Sequence, residues 1–152
     1  MSIFFSPVGN PEVWADKPAG YYTPEEWAAL HPPHALTLDD LKERKKTEIA
    51  SARYEAETAG TTVNGIAIDT GRDSQALITG AALAAMLDEA YSLNWKTENG
   101  FIHLTTPEII AVAQAVRAHV QACFDREAKL CALVDAAETP EDLDEIIISW
   151  PV

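Results

Sequence analysis

His119, Cys123 and Glu127 stand at i, i+4 and i+8, so a helix would carry an imidazole, a thiol and a carboxylate along one face. These are zinc-ligand types. Zinc would still need a fourth group, for which His103 is the candidate, and hydrogen-bonding support behind each ligand. The plainer assignment puts Cys123 in the apolar stripe of its helix with His119 and Glu127 at the border, and no metal is expected. Gly60 and Gly65 have the spacing of the two glycines of a phosphate-binding loop, but Ile66 and Ala67 stand where that loop needs Lys and then Ser or Thr. A helix stop and a hairpin turn account for both glycines. His31 and His34 flank Pro32-Pro33, which sets them in an extended, solvated linker. There is no Gly-x-Ser-x-Gly elbow, and spacing identifies no histidine partner for Cys123 or Cys131. With 24 Asp and Glu, some carboxylates must lie close in space, which neither supports nor excludes paired-carboxylate catalysis. No complete catalytic motif is present, so no enzyme, cofactor-binding residue or catalytic residue is expected.

The elements that would position these residues can be read from periodicity and punctuation. Residues 1–37 are rich in proline and in aromatics: Phe4, Phe5, Trp14, Tyr21, Tyr22 and Trp27. A short strand is expected around Ile3–Ser6 and a short helix from Pro24 to Leu30, with Thr23 as N-cap and Glu25 and Glu26 at the positive end of the dipole. From Thr37 to about Ala59 runs a polar helix, capped by Thr37 or Asp39 and stopped by Gly60. Its least polar seam is Leu38, Leu41, Lys45, Ile49, Ala52 and Ala56. So weak a face must pack on a neighbour or on copies of itself. Its basic run, Lys42, Arg44, Lys45 and Lys46, is broken by Glu43 and reads as a solvated mixed-charge face.

Asn64-Gly65 between β-branched residues predicts a hairpin, because both central positions of a type I′ turn need positive φ. Asp73 or Ser74 is expected to cap a helix running to about Leu87, rich in small residues that let another backbone approach. A second hairpin joins Leu93–Thr97 to Phe101–Leu104 through Glu98-Asn99-Gly100. Thr106-Pro107-Glu108 opens the longest helix, about 106–134, with the stripe Ile109, Val112, Val116, Val120, Cys123, Leu130 and Val134 interrupted at Glu127. Thr139-Pro140-Glu141 caps a last short helix, about 140–147, before an apolar tail from Ile146 to Pro151.

Charge and length bound the function. The 152 residues carry 11 Lys and Arg against 24 Asp and Glu, a formal net charge of −13. That field repels phosphate backbones, so nucleic acid is not an expected partner, whereas basic protein surfaces are attracted. The strongly apolar runs are far too short to span a bilayer, and Ser6, Pro7, Gly9, Asn10 and Pro11 interrupt the start of the chain before a signal sequence could form. Cys123 and Cys131, eight residues apart on one helix, would lie about 12 Å apart and could not bridge. The expectation is a soluble protein of a reducing compartment with no membrane partner.

Ile3-Phe4-Phe5-Ser6-Pro7, followed by Tyr22-Thr23-Pro24-Glu25-Glu26-Trp27-Ala28-Ala29-Leu30, resembles the N-terminal segment of tail-fibre assembly chaperones of tailed phages. Val63-Asn64-Gly65, Asp73-Ser74-Gln75-Ala76, Ile78-Thr79-Gly80-Ala81-Ala82, Trp95-Lys96-Thr97 with Gly100-Phe101, and Ala115 through Phe124 make residues 41–134 resemble an uncharacterised domain often encoded with phage tail fibres. The ending, Asp135 through Leu143 and on to Trp150-Pro151, is similar to tail-fibre assembly proteins. The resemblance implies a protein-binding accessory of a phage or prophage, acting in the cytoplasm of the bacterial host on a tail-fibre protein. The alternative is a structural tail or fibre-associated component of the virion, trimeric through residues 38–59. The fold expected is α+β: an N-terminal arm, 1–37, and a domain, 38–152, whose helical body carries two hairpins able to pair into one small sheet. Phe4, Phe5, Trp14, Tyr21, Tyr22 and Trp27 are the expected partner-binding residues, since aromatics dominate the energetics of interfaces.

Overall fold

A computed structural model describes residues 1–150, and the chain divides into two compact units, Met1–Thr37 and Leu38–Val152. The sequence-predicted tail position Pro151 lies outside the described residues.

In the first unit, β1 (Ser2–Phe5) pairs antiparallel with β2 (Pro11–Trp14), with Ile3 opposite Val13 and Phe4 opposite Glu12. Between them Ser6 forms a turn whose amide donates to the Asn10 carbonyl at 2.9 Å and whose Oγ accepts from the Asn10 amide at 3.0 Å. The other side of β1 is met by Tyr22, which exchanges two backbone hydrogen bonds with Phe5 at 2.8 and 2.9 Å. Then α1 (Pro24–Leu30) starts at the N-cap Thr23: the Glu26 amide donates to Thr23 Oγ1 at 3.1 Å and the Glu26 carboxylate accepts the Thr23 amide at 2.8 Å. This reciprocal cap is the one its sequence calls for. Pro11 opens β2 and Pro24 opens α1, positions where no amide is needed, so neither proline interrupts its element.

The second unit is organised on α4 (Thr106–Ala136), a helix of 31 residues. All seven expected stripe positions, Ile109 through Val134, are buried. Along its length α4 serves three apolar clusters. Near its start, Ile109 packs with Ala85 and with Leu104, flanked by Tyr91, Leu93 and Trp95. In the middle, Val112, Val116 and Val120 meet Val63, Ile68 and Ile78. Towards its end, Leu130 and Val134 meet Ile49, Ala137 and Leu143, with Ile146, Ile148 and Trp150 of the tail laid against them. Each such fully buried side chain is worth about 1.5–3 kcal/mol relative to exposure.

The elements around α4 follow their local signals. In α2 (Leu38–Thr58), the weak seam is filled from within the chain: Ile49 is fully buried against α4, and Leu38 and Leu41 pack on the same cluster. Gly60, at φ +92°, ends it. The turn between β3 (Thr61–Val63) and β4 (Ile66–Ile68) is Asn64-Gly65 at φ +51° and +79°, the positive pair that its sequence predicts. α3 (Arg72–Leu87) begins at Gly71, not at Asp73 or Ser74. The Asp69 carboxylate accepts the Gly71 amide at 3.0 Å and the Ser74 hydroxyl, and so caps the helix from two residues upstream of its N-cap. β5 (Ser92–Thr97) and β6 (Gly100–Thr105) form the last hairpin, and α5 (Pro140–Asp144) follows α4.

The fold is α+β, and two details differ from expectation. The described residues hold three two-stranded sheets, and the two hairpins of the second unit stay separate. They pack on neighbouring stretches of α4, and Trp95 of β5 lies against both clusters. The last helix ends at Asp144, short of 147, because Ile146, Ile147 and Ile148 are β-branched and an extended chain lets alternate residues face the core: Ile146 and Ile148 pack inward while Ile147 is exposed.

Candidate protein-binding site

Five of the six aromatics of residues 1–37 fall into two ring groups, one around Phe5 and one around Trp14, which register puts on opposite faces of the β1–β2 hairpin. On one, the rings of Phe5 and Trp27 stack at 5.5 Å, Tyr22 tilts against Trp27 at 5.5 Å, and His31 stacks on Trp27 at 3.8 Å. Helical spacing puts Trp27 and His31 one turn apart, and the His31 ring Nδ1 lies 3.1 Å from the Trp27 carbonyl. On the other face, Trp14 meets Tyr21 edge-on at 6.3 Å, and both donate to the Glu12 carboxylate, at 3.2 and 3.1 Å. Burial of the phenol, then the hydrogen bond to and charge of Glu12, push the Tyr21 hydroxyl up from its ordinary value. Lys17 pairs with Glu26. That hydrogen bond, with the one from the Thr23 amide, holds the Glu26 carboxyl below the usual range.

These contacts divide the expected partner-binding residues. Phe4 is buried, and Phe5, Tyr21, Tyr22 and Trp27 are half-buried against one another or against Glu12. Trp14 remains exposed. Ile3 and Val13, which aromatic content alone does not pick out, lie directly opposite each other on neighbouring strands and are 51% and 61% exposed. Register is the signal that finds them. A cross-strand aliphatic pair left in water is an uncompensated apolar surface, and burying it against another chain is favourable.

The metal-ligand spacing on α4 has a different outcome. His119, Cys123 and Glu127 do share a face, and that face is turned to α2. His119 Nε2 is 3.1 Å from the Ala56 carbonyl and 3.3 Å from that of Glu57, so it carries the proton and donates. Cys123 is buried, and burial first, then the Glu57 charge, pushes its thiol up. Glu127 accepts from Arg53 Nε at 3.0 Å. His119 and Glu127 are thus engaged in joining α4 to α2, and Cys123 is buried.

Glu57, which sequence reasoning missed, is the hub of that junction and is only 1% exposed. Its carboxylate accepts from Arg53, from Arg72 Nε at 2.8 Å and Nη2 at 3.1 Å, and from Gln75 Nε2 at 3.1 Å. Its carbonyl accepts the Thr70 hydroxyl at 2.6 Å, and Thr70 Oγ1 accepts the Gly60 amide at 2.9 Å. Burial alone would raise the Glu57 carboxyl, but the hydrogen bonds from Gln75 and Arg53 and the two guanidinium charges outweigh it and hold the group below its ordinary value. Arg53 stacks 4.5 Å from the Phe124 ring centre, and Arg72 lies 5.7 Å from that of Tyr54. Glu57 thus ties α2 to α3 through its carboxylate and to the chain leaving β4 through its carbonyl. Every charge in the knot is paired, so it is a structural tie with no free acid or base.

A helical body bearing β-hairpins, with an apolar pair exposed on a separate small unit, defines an α+β protein. Residues 40–147 match the family model described as "Domain of unknown function (DUF4376)", and the chain belongs to that family. The matched segment lies wholly within the unit that begins at Leu38. Neither a curated protein nor a solved structure matches the chain. No helix among the described residues is long and apolar enough to cross a membrane.

Proposed function

We propose that this chain is a protein-binding accessory of a phage or prophage, a tail-fibre assembly chaperone that holds an apolar segment of a fibre protein until the fibre assembles. The observation that carries the proposal is the Ile3–Val13 pair, exposed on a hairpin that its own aromatic packing keeps in shape, with Trp14 exposed on the opposite face. The resemblance of residues 2–30 to the N-terminal segment of such chaperones points to the same part of the chain. The net charge of −13 fits the role, because like charge keeps loaded complexes apart from one another in solution.

The test is co-expression with the neighbouring fibre protein. The wild-type chain should raise the soluble yield of fibre, be captured with it, and be absent from purified virions. Val13→Asp, which places a charge in the apolar pair and leaves Phe5 and Trp27 themselves unchanged, should cut capture at least tenfold, equivalent to about 1.4 kcal/mol. Capture unchanged by Val13→Asp and by Trp14→Ala would remove the hairpin as the interface. Stoichiometric presence in virions would instead establish a structural component.

A further inference from the structure

Of the four asparagines in the chain, Asn64 and Asn99 are followed by glycine, whose backbone nitrogen is the least hindered of any residue's. Asn10 precedes Pro11, which has no amide proton, and Asn94 precedes the bulky Trp95 inside β5. An Asn-Gly pair is chemically labile where the glycine nitrogen can reach the carbonyl carbon of the asparagine side chain. Both pairs have the labile sequence, and the backbone separates them.

The peptide joining Asn64 to Gly65 is the central one of its turn. The ladder closes at Val63 and Ile66, so the Gly65 amide lies outside it. Both turn residues are exposed, and a methyl group on Gly65 would meet open space, so nothing packs against it there. Turns of types I′ and II′ both join hairpin strands, and they differ by rotation of this central peptide. The first residue's ψ passes from about +30° to about −120°, and the second residue's φ from about +90° to about −80°. Glycine accepts both values, so the peptide can flip while Val63 and Ile66 stay in place. The flipped form sets the Gly65 nitrogen against the Asn64 side-chain carbon, with the backbone turned as a succinimide ring requires. The second hairpin is built otherwise. Its turn is Glu98-Asn99, and Gly100 is the closing ladder residue opposite Thr97. The ladder engages the Gly100 amide, and the Asn99 amide donates to Thr97 Oγ1 at 3.2 Å. Rotating the Asn99–Gly100 peptide breaks that last rung.

We infer that Asn64 is a site of self-modification, at which the folded chain deamidates through the flip of its own turn. The Gly65 nitrogen bonds to Asn64 Cγ, the bond from Cγ to Nδ2 breaks, and ammonia leaves carrying the proton lost from the Gly65 amide. Water then opens the ring. Attack at Cγ gives aspartate, and attack at the Asn64 backbone carbonyl carbon gives isoaspartate. Nothing is oxidised or reduced. Aspartate keeps the turn, because Asp-Gly suits type I′ as Asn-Gly does. Isoaspartate adds a carbon to the backbone between strands that share three pairs, with Val63 and Ile68 both buried against α4. So short a ladder cannot hold register on both sides of the insertion. The same hairpin delivers Thr70 to the Glu57 carbonyl, so the disturbance reaches that tie as well.

The test is ageing of the full chain in mildly alkaline buffer, with mass spectrometry of the tryptic peptides Tyr54–Arg72 and Thr97–Arg117. Electron-based fragmentation tells isoaspartate from aspartate. Isoaspartate should accumulate at Asn64 about tenfold faster than at Asn99, the factor expected from one ladder hydrogen bond. In denaturing urea the two rates should converge. The aged wild type should melt at least about 4 °C lower than fresh protein. Asn64→Gly keeps the turn as Gly-Gly and has no side chain to cyclise, so it should hold its melting temperature over the same period. Equal rates in the folded chain overturn the inference, as does a faster rate at Asn99 or a ratio that persists in urea. Conversion to isoaspartate at Asn64 with melting unchanged overturns the effect assigned to the hairpin.

Discussion

Glu57→Gln removes one negative charge from the second unit while keeping the side chain's shape, and its cost can be worked from the contacts. The carboxylate accepts from three side chains at a site that is 1% exposed. Breaking a buried ion pair by removing one partner costs about 3–5 kcal/mol when the other charge is stranded. Here the stranding is incomplete. Arg53 keeps Glu127 at 3.0 Å and the Phe124 ring, Arg72 is half-exposed and can turn to water, and Gln75 keeps the Thr70 carbonyl at 2.8 Å. The expected loss is therefore about 2–3 kcal/mol, or about 8–12 °C in the melting temperature of a unit this size. Urea unfolding followed by far-ultraviolet circular dichroism measures it, with an unchanged m-value showing that the two-state transition is preserved. Arg53→Met in the same background should be less than additive, with a coupling of about 1–2 kcal/mol, since both changes break one contact. A loss below about 0.5 kcal/mol, or strict additivity, would refute the hub assigned to Glu57.

The same carboxylates set the response to acid. Glu57, Asp69, Glu108 and Asp142 are all held below their ordinary values: Glu57 by hydrogen bonds and guanidinium charge that overcome burial, the other three by hydrogen bonds at turns or helix starts. Groups depressed in the folded state stabilise it fully above their unfolded pKa, about 3.9–4.3, and lose that contribution as pH falls through the folded value. The urea midpoint should hence be insensitive to these groups at neutral pH and fall steadily below about pH 4, with a shallower fall in Glu57→Gln. A midpoint constant down to pH 2 would contradict the assignment. At the β3–β4 hairpin, Gly65→Ala should cost about 1 kcal/mol from its positive φ alone, because the added methyl meets open space. Gly60→Ala should cost more, since its methyl would also approach the Ile68 carbonyl to 3.2 Å; equal losses in thermal melts would count against that close approach.

What could be read in advance depended on whether the deciding contact was local. The α4 stripe repeats every three or four residues over 31 residues, and burial follows that period without exception at the seven predicted positions. Asn64-Gly65 and Thr23-Pro24-Glu25-Glu26 carry their geometry within four residues, and the turn and the cap form as written. Glu57 is the opposite case. With Arg53 one turn before it, it looks like half of a solvated surface pair, and its burial comes from Thr70, Arg72 and Gln75, which the β3–β4 hairpin brings back 13 to 18 residues later. Only the returning chain makes that position an interior one.

The first unit shows the same dependence in the residues proposed for binding. Composition points to aromatic rings there, but rings on a short hairpin have one another to bury against. Trp27 lies among Phe5, Tyr22 and His31 in this way, and Trp14 leans on Tyr21. That self-packing converts most of the expected anchors into a scaffold and leaves Ile3 and Val13 facing outward, a pair ten residues apart that only strand register makes neighbours. A partner of this hairpin should accordingly be selected for aliphatic complementarity. Truncating Trp27 should weaken binding through loss of the hairpin's shape, visible as a loss of its protected amides, whereas Val13→Asp should weaken binding with those amides still protected. If both variants left the amides protected and Trp27→Ala alone weakened capture, Trp27 would itself be the anchor and the division between scaffold and surface would be wrong.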